Sequence, residues 1–141
     1  VLFLNPRSTE IVNRVTLGAP VGSANATQSA YYSDSAEELY AVSGGAFGSG
    51  TGEIFRVDTD ANALATTLQV PQNNALIGIS AVGYDAVAQD LYVTRLPVND
   101  SGGPLYTANG TALVLDRDGA VVTRFETGNS PGYVAFLRDT Q

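Results

Sequence analysis

Short apolar runs alternate with polar turns along most of this chain. Val, Ile, Leu, Tyr and Thr dominate the runs, and runs of about four to eight such residues are typical of strands rather than helices. One run, Leu-Tyr-Val-Thr at 91–94, closely repeats Leu-Tyr-Ala-Val at 39–42. Because a recurring segment indicates one structural unit used more than once, the pattern predicts a repeat protein.

The sequence around each Leu-Tyr run predicts the same series of strands. A Gly- or Pro-rich connection follows, then an apolar run ending at Asp58 or Asp116, a polar turn and a second β-rich run. Residues 1–18 match the same hairpin, with Asn5 in the place of the Asp. A further strand is predicted before each Leu-Tyr run and near the C-terminus, at 29–34, 79–85 and 132–139. With the four strands of a unit labelled A to D, the predicted order is C-D, A-B-C-D, A-B-C-D, A.

These strands form a single repeat domain over 1–141, with units at approximately 1–38 (partial), 39–90 and 91–141. Four antiparallel strands in a unit of roughly 40 to 50 residues are typical of a β-propeller blade. The predicted fold is therefore all-β, a partial propeller of about three blades, each a four-stranded antiparallel meander. A sandwich of the same strands is the alternative.

A known family shares several of these motifs. Leu91-Tyr92-Val93-Thr94, Val114-Leu115-Asp116 and Gly128-Asn129-Ser130-Pro131-Gly132 resemble the YVTN or YncE-like propeller repeats and, more loosely, NHL and quinoprotein-type blades. The resemblance covers nearly the whole chain and is best over 85–137, whereas the first unit departs from it. It implies a propeller, but it implies little about function because such folds host unrelated activities.

Three blades do not close a ring, and open edges are a liability that propellers avoid by closure. We therefore expect either the C-terminal part of a larger propeller, whose remaining blades are the partner, or assembly of copies of this chain. The chain contains no Met, even at its start, which favours a processed form or a fragment. Together with the resemblance, this predicts an exported protein of the periplasm or cell surface.

Composition and charge exclude several classes of function. Of the 141 residues, 44% are hydrophobic and 15% charged, and seven Arg against fourteen acids give a net charge of −7. This charge disfavours nucleic acids and anionic membrane surfaces as partners. No apolar run is long enough to span a membrane. The absence of Cys and His excludes catalytic systems that need either residue and disfavours zinc sites.

One acidic segment superficially matches a calcium-binding loop. Asp58, Asp60 and Asn62 alternate as the first oxygen ligands of such a loop do. However, Ala63 stands where the loop needs Gly, and Gln69 stands where it needs Glu. The segment is therefore predicted to be a polar turn, and no metal ligand is assigned.

The long connections indicate where a ligand would bind. In a meander, successive connections alternate between the two ends, so the long connections 43–53 and 95–111 share one face with the links from D to A. Long loops beside short turns are often functional. Aromatic rings and amides suit a carbohydrate or another polar organic ligand, although Phe47 and Tyr106 serve equally well as packing residues. The candidate ligand-binding residues are Phe47, Asn73, Asn74, Arg95, Asn99, Asp100, Tyr106 and Asn129.

The predicted function is therefore a non-enzymatic binding or scaffolding module, with no catalytic residue and no cofactor. One alternative is a propeller enzyme of the lactonase or quinoprotein type, in which acids such as Glu53 or Asp100 hold a divalent cation, Ca²⁺ among them. Another alternative is a self-assembling structural protein whose open edges pair between copies.

Overall fold

The computed structural model describes residues 1–22, 28–44 and 50–137. Within these ranges the chain is all-β, with ten strands and no helix. The strands are β1 Leu2–Leu4, β2 Ile11–Arg14, β3 Ala30–Ser33, β4 Glu38–Ser43, β5 Gly52–Asp58, β6 Ala63–Val70, β7 Leu76–Asp85, β8 Asp90–Pro97, β9 Asn109–Leu115 and β10 Val121–Asn129.

The strands form one hairpin and two four-stranded sheets. β1 pairs with β2, β3 to β6 form the first sheet, and β7 to β10 form the second sheet. Each four-stranded sheet keeps the order of the chain, and every pair of neighbouring strands is antiparallel. The prediction of a hairpin followed by two four-stranded meanders is confirmed.

The two sheets repeat each other in register as well as in order. Tyr40 pairs with Arg56 in the first sheet, and Tyr92 pairs with Val114 at the corresponding place in the second. The last strand of each sheet also contains one extra residue near the hairpin turn, Ala65 in β6 and the corresponding residue in β10. A bulge of this kind changes which side chains face inward beyond it. The repeat therefore includes this bulge, whereas the register shifts in β7 and near the end of β10 occur in the second sheet alone.

The hydrophobic core lies between the two sheets. The sheets approach each other along β7, which contacts both β3 and β4. Burying a large aliphatic side chain contributes roughly 1.5–3 kcal/mol, so this layer supplies much of the driving force for stacking the sheets. The central residues of the core are Tyr40, Val42, Ile54, Leu68, Val70, Ile79, Val82, Tyr84, Leu91, Val93, Leu113 and Leu115.

The segment after β10 corrects one prediction. A strand was predicted at 132–139, but residues 132–137 form none, and 138–141 lie outside the described residues. The segment 131–137, here named the tail, instead crosses the outer face of the second sheet by side-chain contacts. The Phe136 ring lies 5.3 Å from that of Tyr92, and the Val134 N–H donates to Oε1 of Gln28 at 2.9 Å. Side-chain packing thus takes the place of the backbone pairing that a strand requires.

Gly83 in β7 allows the tail to approach this closely. A Cβ at Gly83 would lie 2.6 Å from Cγ1 of Val134, closer than side chains pack. The tail also bonds through its backbone, because the Pro131 carbonyl accepts the hydroxyl hydrogen of Thr94 at 2.8 Å. A glycine and a threonine on one sheet face therefore fix the path of the tail.

Tyr40 and Tyr92 occupy equivalent places in the repeat but have different surroundings. Tyr40 is fully buried, and its ring stacks on Tyr84 of the next sheet at 4.8 Å and 28°. Tyr92 faces the tail instead and remains partly exposed. The backbone pairing is thus repeated, whereas the segment that packs on each sheet differs: the second sheet packs on the first, and the tail packs on the second.

Candidate functional site

The connections of the two sheets divide between two ends. The short turns 34–37, 59–62, 86–89 and 116–120 lie at one end, called the turn end. The connections 71–75 and 98–108, together with residues 50–51, lie at the other end, called the loop end. The second long connection is shorter than the predicted 95–111, because β8 extends to Pro97 and β9 begins at Asn109.

Arg95 at the loop end is fully buried in a shell of backbone carbonyls. Its Nε donates to the Gly78 oxygen at 2.9 Å, Nη1 to Pro71 at 2.9 Å, and Nη2 to Gly50 at 2.5 Å and to Leu76 at 3.4 Å. Burial lowers the pKa of the Arg95 guanidinium. Two acceptors, Gly78 and Leu76, lie in β7, and the other two, Gly50 and Pro71, lie in connections that adjoin strands of the first sheet, so Arg95 ties the second sheet to those connections.

The backbone conformation at Gly50 places the Gly50 carbonyl group against Arg95. Gly50 has a φ of +64°, and a Cβ there would lie 2.6 Å from the Asn73 oxygen, so only glycine fits. The Gly50 oxygen also accepts the Asn73 N–H at 3.0 Å. The Asn73 Oδ1 in turn accepts the N–H of Ala75 at 2.9 Å and fixes the link between β6 and β7.

A cavity of about 280 Å³ opens beside Arg95, between that link and the outer strands of the second sheet. Its lining combines apolar side chains, side-chain amides, a hydroxyl and two guanidinium groups. The described residues that line it are Pro71, Gln72, Asn73, Ala75, Leu76, Arg95, Thr111, Leu113, Val121 and Arg124.

The bulge in β10 is what brings Arg124 to this cavity. Val121 pairs with Leu115 and Arg124 pairs with Leu113, so both residues of β10 face inward although they are three positions apart. In a regular strand, residues three positions apart point to opposite faces. The extra residue between them therefore decides that Arg124 lines the cavity.

Of the predicted ligand-binding residues, Asn73 and Arg95 line this cavity. Asn74, Asn99, Asp100, Tyr106 and Asn129 do not line it, and Phe47 lies outside the described residues. Asn99 has a local role, because its Oδ1 accepts the N–H groups of Ser101 and Gly103, each at 2.9 Å. Asp100 and Tyr106 lie exposed in the same connection, and Asn129 ends β10 opposite Asn109. The predicted set is thus divided between the cavity and the surrounding loop surface.

A different polar cluster joins the sheets at the turn end. Oε1 of the buried Glu38 lies 2.5 Å from Nη2 of Arg117 and 3.5 Å from Nε of Arg56. The Tyr40 hydroxyl donates to Oε2 of Glu38 at 2.5 Å, and the Arg117 Nη1 donates to the Tyr84 hydroxyl at 3.0 Å. One carboxylate is therefore shared by guanidinium groups from both sheets.

The cluster shifts the ionisation of its members. Burial, the hydrogen bond to Glu38 and the charge of that carboxylate raise the pKa of Tyr40 well above its ordinary value. Partial burial is the largest single influence on Arg117 and opposes its charge, but the Glu38 carboxylate together with Tyr84 and Tyr40 outweighs it, so the pKa of the guanidinium is raised. The groups thus hold each other in the neutral phenol and charged guanidinium forms.

Within the described ranges, no group of three or more Asp or Glu residues could hold a metal ion. Glu53, one of the acids considered for a divalent cation, accepts a hydrogen bond from Gln69 Nε2 at 2.8 Å. The same part of the chain contains no helix that is long and apolar enough to cross a membrane.

Sequence reasoning did not identify Thr111 and Arg124 as cavity residues. Thr111 could have been found, because it pairs with Arg95 once the register of the Leu-Tyr strand is known. Arg124 depended on the bulge, which alternation alone does not reveal. The two bulges follow the matching polar turns at Asp58 and Asp116, so those turns mark in the sequence where the shared irregularity begins.

Comparison with known proteins adds no family to this geometry. No protein-family model matches the chain, and no curated protein matches it significantly.

Proposed function

We propose that this chain is a non-enzymatic binding or scaffolding module made of β-propeller blades, and that it binds a polar organic ligand or a carbohydrate at the loop end. The observation that carries the proposal is the cavity of about 280 Å³ between the link 71–75 and the second sheet. Ligand pockets combine apolar walls with a few polar groups that fix orientation, and this lining has that composition.

The propeller part of the proposal is supported by the way the sheets repeat. Two successive meanders stack face to face, with matching register in their central strands and a matching bulge in the last strand of each. The resemblance of 85–137 to YVTN or YncE-like repeats is consistent with this stacking. The same resemblance supports an exported location, in the periplasm or on the cell surface.

Mapping of chemical shifts in isotope-labelled protein tests the binding site. On titration with neutral sugars such as D-glucose, we expect saturable shifts of backbone amides at 72–76 and 98–111. Amides of the turn end, at 34–37 and 116–120, serve as the internal control because they lie at the opposite end of the sheets. Shifts confined to the turn end, or none with any polar ligand, would contradict binding at the loop end.

A scaffolding role is favoured by exposed apolar side chains on the N-terminal hairpin and on the side of the second sheet where the tail lies. Leu2, Leu4, Ile11 and Val12 are exposed on the N-terminal hairpin, and Phe125, Tyr133 and Leu137 on the side of the tail. Stacked sheets bury such faces against a neighbouring sheet. The partners proposed are therefore further blades of the same protein or copies of this chain.

Light scattering distinguishes these two partners. Self-association predicts a solution mass above the 14.7 kDa of one chain, reduced by Phe125→Ser. A mass that stays at 14.7 kDa as the protein concentration rises would exclude association of copies.

A further inference from the structure

The cavity at the loop end differs in charge from the rest of the molecule. The chain has twice as many acidic residues as arginines and a net charge of −7. Nevertheless, two arginines and no Asp or Glu occur among the described residues that line this cavity. The local environment is therefore positive in an acidic protein.

Neither of these arginines is neutralised by a carboxylate. Among the residues that the structure describes, no acid forms an ion pair with Arg95 or Arg124. Backbone carbonyl groups accept four hydrogen bonds from the buried Arg95, but they carry no net negative charge. The exposed Arg124 has no hydrogen-bond partner within the same part of the chain. A buried charge without a counter-ion is costly, so an anion beside it would be stabilised.

The repeat shows that these residues are a departure from the common framework. At the position of Arg95 in the second sheet, the first sheet has Ser43, and the residue paired with Ser43 is Glu53 rather than Thr111. When positions are counted from the bulged residue of the last strand in each sheet, the residue of the first sheet that corresponds to Arg124 is Thr67. Both positive side chains are therefore specific to one sheet, although the backbone of the other sheet forms the same pairs without them.

The size and the walls of the cavity restrict the ligand further. A volume of about 280 Å³ lies near the lower limit of small-molecule pockets and suits a ligand of about one ring. Leu76, Leu113 and Val121 provide an apolar wall for the body of such a ligand. A guanidinium group matches the planar geometry of a carboxylate and binds it through two parallel hydrogen bonds.

We propose that this cavity binds a small organic molecule through its carboxylate, with the Arg124 guanidinium as the principal partner. This inference rests on the proposed function and names the chemical class of its ligand. Arg95 supplies a fixed positive charge, and Gln72, Asn73 and Thr111 supply hydrogen bonds to the polar groups of the ligand. The carboxylate takes the position of the counter-ion that the chain does not provide.

Titration with D-glucuronate and D-glucose tests the proposal, because the two sugars differ at one carbon by a carboxylate. We expect sodium D-glucuronate to shift the amides of Asn73 and Thr111 saturably, and D-glucose to bind at least about tenfold more weakly, the effect of about one charge-assisted hydrogen bond. Binding of D-glucuronate should weaken as sodium chloride is added. Sodium acetate should shift the same amides, because it carries the carboxylate without the sugar.

Two matched variants assign the effect to the cavity. Arg124→Gln should weaken D-glucuronate binding by about tenfold or more. Arg14→Gln removes an exposed arginine of β2 outside the cavity and should leave the affinity unchanged. Both changes lie on exposed strand positions, and unchanged amide spectra elsewhere will confirm that each variant is folded.

The outcomes separate this inference from the proposed function. If D-glucose binds at the loop end as tightly as D-glucuronate, the carboxylate inference is wrong and the binding module stands. If D-glucuronate and acetate bind there equally well to Arg124→Gln, the role of Arg124 is wrong. If neither the carboxylates nor the neutral sugars shift loop-end amides, both the inference and the proposed binding site are wrong.

Discussion

The two ends of the contact between the sheets use arginine in opposite ways. At the turn end, the carboxylate of Glu38 bonds Arg117 and lies close to Arg56, so both guanidinium groups have a negative charge of the protein beside them. At the loop end, carbonyl groups surround Arg95 and no acid accompanies it among the described residues. The first arrangement serves the association of the sheets, whereas the second leaves positive charge available to a ligand.

This difference also separates stability from binding in the two regions. When a buried group is removed from a hydrogen-bonded cluster, its partners are left unpaired, and this costs stability. A charge that lacks a counter-ion costs stability in the free protein and gains from an added anion. The two ends should therefore respond differently to mutation and to ionisation.

Glu38→Gln should cause the largest loss of stability. The substitution keeps the shape of the side chain but removes the negative charge, so the guanidinium groups of Arg56 and Arg117 lose their counter-ion. We expect the free energy of unfolding to fall by about 2–4 kcal/mol, measured by urea denaturation.

Glu37→Gln is the matched control for this substitution. Glu37 is the exposed neighbour of Glu38, and changes at such sites usually stay within about 0.5 kcal/mol. Equal effects of the two substitutions would show that the turn-end cluster does not stabilise the contact between the sheets.

Arg95→Met should cost less than Glu38→Gln, about 1–2 kcal/mol. Carbonyl groups of Gly50, Pro71 and Gly78 lose a donor, but the removal of a buried charge without a counter-ion offsets part of that loss. Urea denaturation beside Arg14→Met, an exposed change in β2, measures the difference. A larger loss than that of Glu38→Gln would mean that carbonyl dipoles compensate the buried charge as fully as a carboxylate does.

Tyr40 should give the smallest effect at neutral pH and a distinct effect at alkaline pH. Its pKa is raised in the folded state, so its contribution is fully present below about pH 10, the ordinary tyrosine value, and is lost as the pH rises further. The unfolded state releases the phenol proton first, which lowers the free energy of unfolding by at most about 1.4 kcal/mol per pH unit.

Tyr40→Phe isolates that contribution. At pH 7 the variant should lose about 1 kcal/mol, the value of one hydrogen bond, and above pH 10 its stability should fall less steeply than that of the wild type. Denaturant unfolding between pH 8 and about pH 11 supplies the comparison. Identical alkaline slopes would contradict a raised Tyr40 pKa.

Much of the fold could be predicted because it depends on local patterns. The alternating runs and polar turns at Asp58 and Asp116 define hairpins, and consecutive hairpins form a meander. The strand predicted at 132–139 failed for 132–137 because an apolar run alone does not supply a pairing edge. These residues pack instead on the sheet face at Gly83, and the sequence next to the tail does not indicate that contact because Gly83 is distant in the chain.

The candidate site was less predictable because it combines distant segments. The topology predicted from the sequence indicates the loop end and, within it, the cavity residues Asn73 and Arg95. It treated Arg95 as a loop residue, although the register places it inside β8 and buries it. Arg124 reaches the cavity only through the bulge of β10, an irregularity that depends on pairing with β9.

The tail has a consequence for the lifetime of the folded molecule. Its contact with Gln28 joins residues 106 positions apart, whereas even the long connection between neighbouring strands of the second sheet spans only 98–108. Closing so long a loop costs more entropy than closing a hairpin, so we infer that the tail docks after the sheets have formed. Contacts made after the rate-limiting step leave the folding rate nearly unchanged and slow unfolding. Val134 and Phe136 therefore determine how long the native state persists rather than how quickly it is reached.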